Sequence, residues 1–237
     1  MKRIQILWIV CIGAGLWACS SVTPVYVQTD KVEVNTATQS DSEMDEMIQP
    51  YRDSLSEEMN RVIGYAKGDL INERPVGSLG NFVVDETMDY LVEEQLIQRD
   101  DYICIMNFGG LRAPISKGDI QVGDIYKLMP FDNTIVFLKL PAKNINEIAD
   151  YLRNSGGEPI AGFSIDDKEY YFDKKNALKD TLYVVTTNYL ANGGDKMSFL
   201  ENPYEIVDTG IFLRDLLLDQ VEDKDTIVPV KDQRIKL

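Results

Sequence analysis

The sequence predicts an α+β domain built on a mixed sheet, and three kinds of signal support this. Apolar runs too short for helices occur at Tyr102 to Asn107, Thr134 to Leu140 and Thr181 to Thr187, rich in Ile, Val and Tyr, as buried strands require. Between them lie longer segments whose apolar residues recur at three- and four-residue steps. A hairpin is marked at Phe163 to Phe172, turning at Asp166-Asp167. Helices, strands and hairpins interspersed in this way indicate helices packed on a sheet of mixed direction.

In chain order, Met44, Met47, Ile48, Tyr51, Leu55, Met59 and Val62 mark a first helix, which Ser42 caps and Pro50 kinks. Val62 to Ala66 follows as a strand, with Gly68-Asp69 turning out of it. A second helix spans about Gly80 to Gln95, facing Phe82, Val83, Met88, Leu91 and Val92 inward. Pro141 suits the first position of a third helix, which runs to Arg153 and stops at Gly156-Gly157. Thr209 is placed to cap a last helix through Gln220, and the tail alternates like a strand from Thr226.

The N-terminus predicts an address. Met1-Lys2-Arg3 precedes an apolar run from Ile4 to Leu16, too short to span a bilayer comfortably and typical of a secretory signal. It ends in Leu16-Trp17-Ala18-Cys19, similar to a bacterial lipobox, so Cys19 is the candidate lipidation site; the alternative is an ordinary cleaved signal with an incidental cysteine. The expected organisation is a signal at 1–19, a Thr-, Val- and Ser-rich tether at 20–40 with a short strand within Val25 to Val34, and the domain at 41–237. This implies an exported, lipid-anchored protein of the cell envelope. With Cys11 and Cys19 so assigned, only Cys104 is left, inside an apolar run as a small core residue.

Composition excludes two classes. The net charge is −15, which repels polyanions and argues against a nucleic-acid polymer as partner. The 237 residues contain no histidine, so no step can use imidazole as base or metal ligand.

Two strand-to-loop stretches carry the chemistry: Asn107-Phe108-Gly109-Gly110-Leu111-Arg112 and Asn188-Tyr189-Leu190-Ala191-Asn192-Gly193-Gly194-Asp195. Glycine pairs let backbone turn sharply and approach a ligand closely. Arg112 offers a planar fork that matches phosphate, Asn107 both donates and accepts, and Asp195 can accept two ribose hydroxyls. Phe131, within Leu128-Met129-Pro130-Phe131-Asp132-Asn133, and Tyr189 supply ring faces for a base, each stack being worth about 1–3 kcal/mol. The residue types suit a nucleotide, but Gly-Gly after a strand is also an ordinary turn, and an aromatic beside proline an ordinary core residue.

These stretches resemble the C-terminal domain of the 5′-nucleotidase family. Asn107 to Arg112 is similar to its N-G-G-G-[IL]-R loop with Phe108 replacing the first glycine. Met129 to Asn133 is similar to its P-F-G-N segment with Asp132 in place of glycine. Asn188 to Asp195 is similar to its N-[FY]-L-A-N-G-G-D loop without a break, and Ser78 to Asp85 resembles its LGN helix start. The motifs occur in the family's order, from about residue 60 to the C-terminus. The resemblance implies an α/β/β/α mixed-sheet fold in which Phe131 and Tyr189 stack on the base, Asp195 binds ribose, and Asn107 and Arg112 hold the ribose and phosphate end. It makes Arg74 the candidate for a further family arginine upstream of the LGN segment. It also implies that Phe108 narrows the pocket and that Asp132 disfavours nearby phosphate.

In the family, hydrolysis belongs to a separate metallophosphoesterase domain whose two divalent metals are held by Asp, His and Asn. The resemblance therefore implies no cofactor on this chain and divalent metals on a catalytic partner. Three readings stay open: the nucleotide- or nucleoside-recognising part of a split 5′-nucleotidase, working with a separately encoded metallophosphoesterase; a stand-alone nucleotide-binding lipoprotein without hydrolysis; and an interaction module with a degenerate pocket.

Overall fold

A computed structural model describes residues 41–173 and 180–237; the signal, Cys19, the tether and its strand at 25–34 lie outside the described residues. Helix α1 spans Ser42–Met59 and passes through Pro50 without interruption. Asp41, not Ser42, caps it, its Oδ1 accepting from the backbone N–H groups of Glu43 (3.0 Å) and Met44 (3.2 Å).

The remaining elements include those the apolar periods predict, together with several short ones they do not. They are β1 (Val62–Ala66), α2 (Ser78–Glu93), β2 (Tyr102–Ile105), β3 (Gly118–Gln121), α3 (Val122–Leu128), β4 (Thr134–Pro141) and α4 (Asn144–Ser155). Then come β5 (Ile160–Ala161), the hairpin β6 (Phe163–Ile165) and β7 (Tyr170–Phe172), β8 (Thr181–Thr187), α5 (Asn188–Ala191), β9 (Glu205–Phe212), α6 (Leu213–Lys224) and β10 (Thr226–Ile227).

The central sheet has the order β5-β2-β8-β4-β9, and a smaller sheet has the order β10-β1-β3. Both are mixed, as expected. In the central sheet β2 and β8 run parallel, while β4 runs antiparallel to β8. In the smaller sheet β1 is parallel to β10 and antiparallel to β3.

Side chains alternate across the pleat, so β2 feeds both faces. Ile103 and Ile105 join a core with Val136, Leu138 and Leu140 of β4 and Ile145, Ile148 and Leu152 of α4. Cys104 and Met106 point the other way, into a core with Leu79, Val83, Met88 and Leu91 of α2 and Leu213, Leu216, Leu217 and Val221 of α6. Cys104 is fully buried, as its apolar neighbours predict, and burial pushes its thiol far above the ordinary range.

Two expected helix starts are corrected. Pro141 ends β4 opposite Thr181 instead of opening α4, which begins at Asn144, where the side-chain amide donates to Phe199 O at 2.8 Å. A proline suits a strand's last residue as well as a helix's first, because neither place needs its missing N–H. Thr209 caps nothing: it sits in β9, its hydroxyl donating to Ile135 O at 2.8 Å, and α6 starts only at Leu213. Gly210, at φ 71°, lets the chain pass an irregularity in the pairing with β4 that the sequence pattern does not announce.

The C-terminal tail is tied by one arginine. Arg234 meets Asp85 of α2 through two bonds (2.8 and 2.6 Å), Asp232 (2.8 Å) and Ile160 O (2.9 Å), while Ile165 and Arg234 pair through backbone. Arg234→Ala is expected to lower unfolding free energy by about 2–4 kcal/mol, because it strands a half-buried carboxylate and frees the tail. Urea denaturation gives the first effect, and faster exchange of the Lys236 amide, bonded to Ile165 O at 3.0 Å, gives the second.

Candidate functional site

The site is set by strand direction. Because β2 and β8 are parallel neighbours, their C-terminal ends open on the same edge of the sheet. Because β4 is antiparallel to β8, with Ile135 opposite Thr187, the segment entering β4 arrives at that edge too. The loops after β2 and β8 and the lead-in to β4 therefore converge. Asn107, Gly109, Gly110, Arg112, Phe131, Asn133, Tyr189 and Asp195 surround a cavity of about 330 Å³ there, within the range of small-molecule sites.

Five of the six expected binding residues thus share one cavity: Asn107, Arg112, Phe131, Tyr189 and Asp195. Asp195 is its hub. It sits in the left-handed region (φ 51°, ψ 26°), delivered by Gly193 at φ 82°. Asn107 Nδ2 donates to Asp195 Oδ2 at 2.6 Å, and the Tyr189 hydroxyl donates to Oδ1 at 2.9 Å. The Asp195 backbone N–H returns a bond to that hydroxyl at 3.3 Å, and the Tyr151 hydroxyl of α4 donates to Asp195 O at 3.0 Å. Each carboxylate oxygen keeps a lone pair after these bonds, so the acid can still accept from a ligand. The bond to Asp195 raises the Tyr189 phenol above its ordinary value, and burial does the same for Tyr151. Both therefore stay protonated donors at neutral pH.

Glycine is required where backbone meets side chain. A Cβ on Gly194 would lie 2.5 Å from Tyr189 Cε1, and one on Gly110 would lie 2.7 Å from Asn107 Oδ1. Gly109 differs: its Cβ would meet only Asp195 Oδ2 at 3.7 Å and Asn107 Nδ2 at 3.8 Å, so its open side faces the cavity.

Arg74 corrects the sixth expectation. Its guanidinium turns away from the cavity, bonds Ser155 O and Gly157 O, pairs with Glu158 Oε1 at 2.9 Å and lies 4.6 Å over the Phe108 ring. Glu158, only 5% exposed, uses its other oxygen to accept from the Phe108 N–H at 2.6 Å. Arg74 thus braces the first loop from behind. Phe108 does not narrow the cavity, because its ring turns to this far side. Asp132 does not line the cavity; its carboxylate is 2.7 Å from Arg214.

Arg112 stays exposed, donating to Gly109 O at 3.2 Å, and has no carboxylate partner among the described residues. Asn133 lines the cavity although sequence reading gave it no role; its place beside Phe131 in the same segment was the available signal. Asn72, which donates to Phe108 O and Leu111 O (both 3.1 Å), and Glu158 carried no such signal, because both act on backbone distant in sequence. Among the described residues no group of three or more Cys, Asp or Glu side chains is arranged to hold a metal ion.

Clefts at strand ends, walled by rings with a few polar groups, are where small-molecule sites commonly lie. Comparison with known proteins makes the family specific. Residues 62–161 match the family profile described as "5′-nucleotidase, C-terminal domain". The chain is 28% identical over 89% of its length to the trifunctional nucleotide phosphoesterase of Bacillus subtilis, covering 16% of that protein, and 28% identical over 81% of its length to a 5′-nucleotidase of Vibrio cholerae, covering 38% of it. A solved 5′-nucleotidase precursor from Thermus thermophilus superposes with a TM-score of 0.68 at 26% identity, over 81% of this chain and 42% of that one. By that match residues 62–161 carry a 5′-nucleotidase C-terminal domain. The chain spans about two-fifths or less of the length of these relatives.

Gly194→Ala is expected to push the Tyr189 ring aside and break its bond to Asp195. The Tyr189 phenol should then titrate closer to its ordinary value in a tyrosine-labelled NMR titration, with stability changed by less than about 1 kcal/mol because the ring is exposed.

Proposed function

We propose that this domain recognises the nucleoside portion of a nucleotide, and that hydrolysis is supplied by a metallophosphoesterase carried on another chain. The observation that carries this reading is the convergence of Phe131, Tyr189, Asp195, Asn107 and Arg112 on one cavity. Exposed rings take the base, the preset carboxylate takes the ribose hydroxyls, and the unpaired arginine takes the phosphate. Such a domain holds and orients the substrate, which contributes to catalysis without generating a nucleophile. The absence of histidine from the 237 residues supports assigning the metal-bound step to the partner, where divalent metals would activate water.

Phosphate release from AMP with divalent metal, measured for this chain, for the metallophosphoesterase and for both together, tests the division of labour. The mixture is expected to exceed the sum of the parts by at least about tenfold, the scale on which positioning acts. A mixture no faster than the metallophosphoesterase would falsify it. Phe131→Ala and Tyr189→Ala are each expected to weaken adenosine binding by about 1–3 kcal/mol, followed by calorimetry.

The same proposal places the protein on a membrane through a lipid on Cys19, which puts the cavity in the cell envelope where exported nucleotides are met. Intact-mass analysis is expected to show an acylated N-terminus at Cys19 in the native protein and its loss in Cys19→Ala, with release from the membrane fraction.

A further inference from the structure

We propose that a second cleft, separate from the strand-end cavity, is a binding site for an organic cation of the alkyl diamine or polyamine class. The cleft encloses about 590 Å³ between α2, the end of α6, the residues around β5 and the C-terminal tail, and shares no lining residue with the strand-end cavity. Gly162 in its wall lies against the start of β2, where a Cβ would come within 2.7 Å of Tyr102 O. The cleft therefore sits toward the end of β2 remote from the binding loops.

Its wall carries five carboxylates and three cations. Each cation is already held. Lys224 lies 2.5 Å from Glu86 and 2.7 Å from Asp89, Arg99 pairs with the same Asp89, and Arg234 is held by Asp85 at 2.6 Å and Asp232 at 2.8 Å. Asp173, the fifth carboxylate, is exposed and forms no ion pair among the described residues. Glu86 lies at the buried end. It is 8% exposed, its Oε2 accepts no hydrogen bond, and the one cation beside it divides its charge with Asp89. Burial holds the Glu86 carboxyl above the usual carboxylate range, the sign of a charge short of compensation that an arriving cation would supply.

An anion would meet only cations already neutralised. A metal ion has no set of three or more carboxylates arranged to hold it among the described residues. Much of the rest of the wall is apolar, with Phe82, Ile227 and the exposed Val228 and Val230. Dispersed carboxylates on an apolar surface suit ammonium groups joined by methylenes, since each ammonium donates up to three hydrogen bonds while the chain covers the valines.

Calorimetric titration of the full chain at low salt with spermidine, 1,4-diaminobutane and butylamine tests this. The diamine is expected to bind at least about tenfold tighter than butylamine, the yield of one further charge-assisted contact. Spermidine is expected to bind tighter still, and both to weaken as salt is raised. Asp173→Asn is expected to weaken diamine binding about two- to fivefold, the yield of one exposed ion pair. Glu57→Gln removes an exposed carboxylate of α1 outside the cleft and controls for general attraction to an acidic surface. An equal loss in both variants would overturn the proposal, as would the absence of saturable diamine binding or butylamine binding as tightly as the diamine. Displacement of the diamine by an equal concentration of magnesium would overturn the assignment to an organic cation.

Discussion

The parallel pairing of β2 with β8, with β4 antiparallel beside them, is the constraint on which the site depends. A parallel pair must send both chains out of the sheet at the same edge, and an antiparallel neighbour must enter there. Three segments distant in sequence are thereby delivered to one place. Backbone ladders and two apolar cores fix the strand ends, and hydrogen bonds of the loops themselves hold what those ends deliver.

On that frame the polar network divides into a front and a back. In front, Asn107, Tyr189 and Asp195 hold one another, with Tyr151 reaching in from α4. Behind, Arg74, Glu158 and Asn72 fix the backbone of the first loop from the side away from the cavity. An arginine serving the back cannot serve the front, and here the sequence places a phenylalanine, Phe108, whose ring lies against its guanidinium. That local substitution and the diversion of Arg74 fit one arrangement.

Much of this was legible in the residues. The three apolar runs that became β2, β4 and β8 are too short for helices and rich in Ile, Val and Tyr, which decides for strand where period alone does not, and the glycine pairs after two of them marked where chain leaves the sheet. What failed did so for identifiable reasons. Pro141 and Thr209 carry signals shared by strand ends and helix starts, and only pairing with Thr181 and with β4 decides between them. Arg74 is compatible with a ligand or with Glu158, and the second partner lies 84 positions away, beyond the reach of local pattern. Phe108 was expected to narrow the cavity because the family has glycine there, yet it opens the 3₁₀ turn Phe108–Gly110 and its ring lies against Arg74.

The conformation of Asp195 has a consequence for speed as well as affinity. Its left-handed backbone costs a residue other than glycine on the order of 1 kcal/mol, and that penalty is incurred when the chain folds. A ligand arriving at the cavity finds the carboxylate already held by Asn107 and Tyr189. Association should therefore be limited by diffusion and by the charge of the ligand, and residence time should follow the contacts broken on leaving. A site of this kind captures on encounter instead of waiting for a rearrangement.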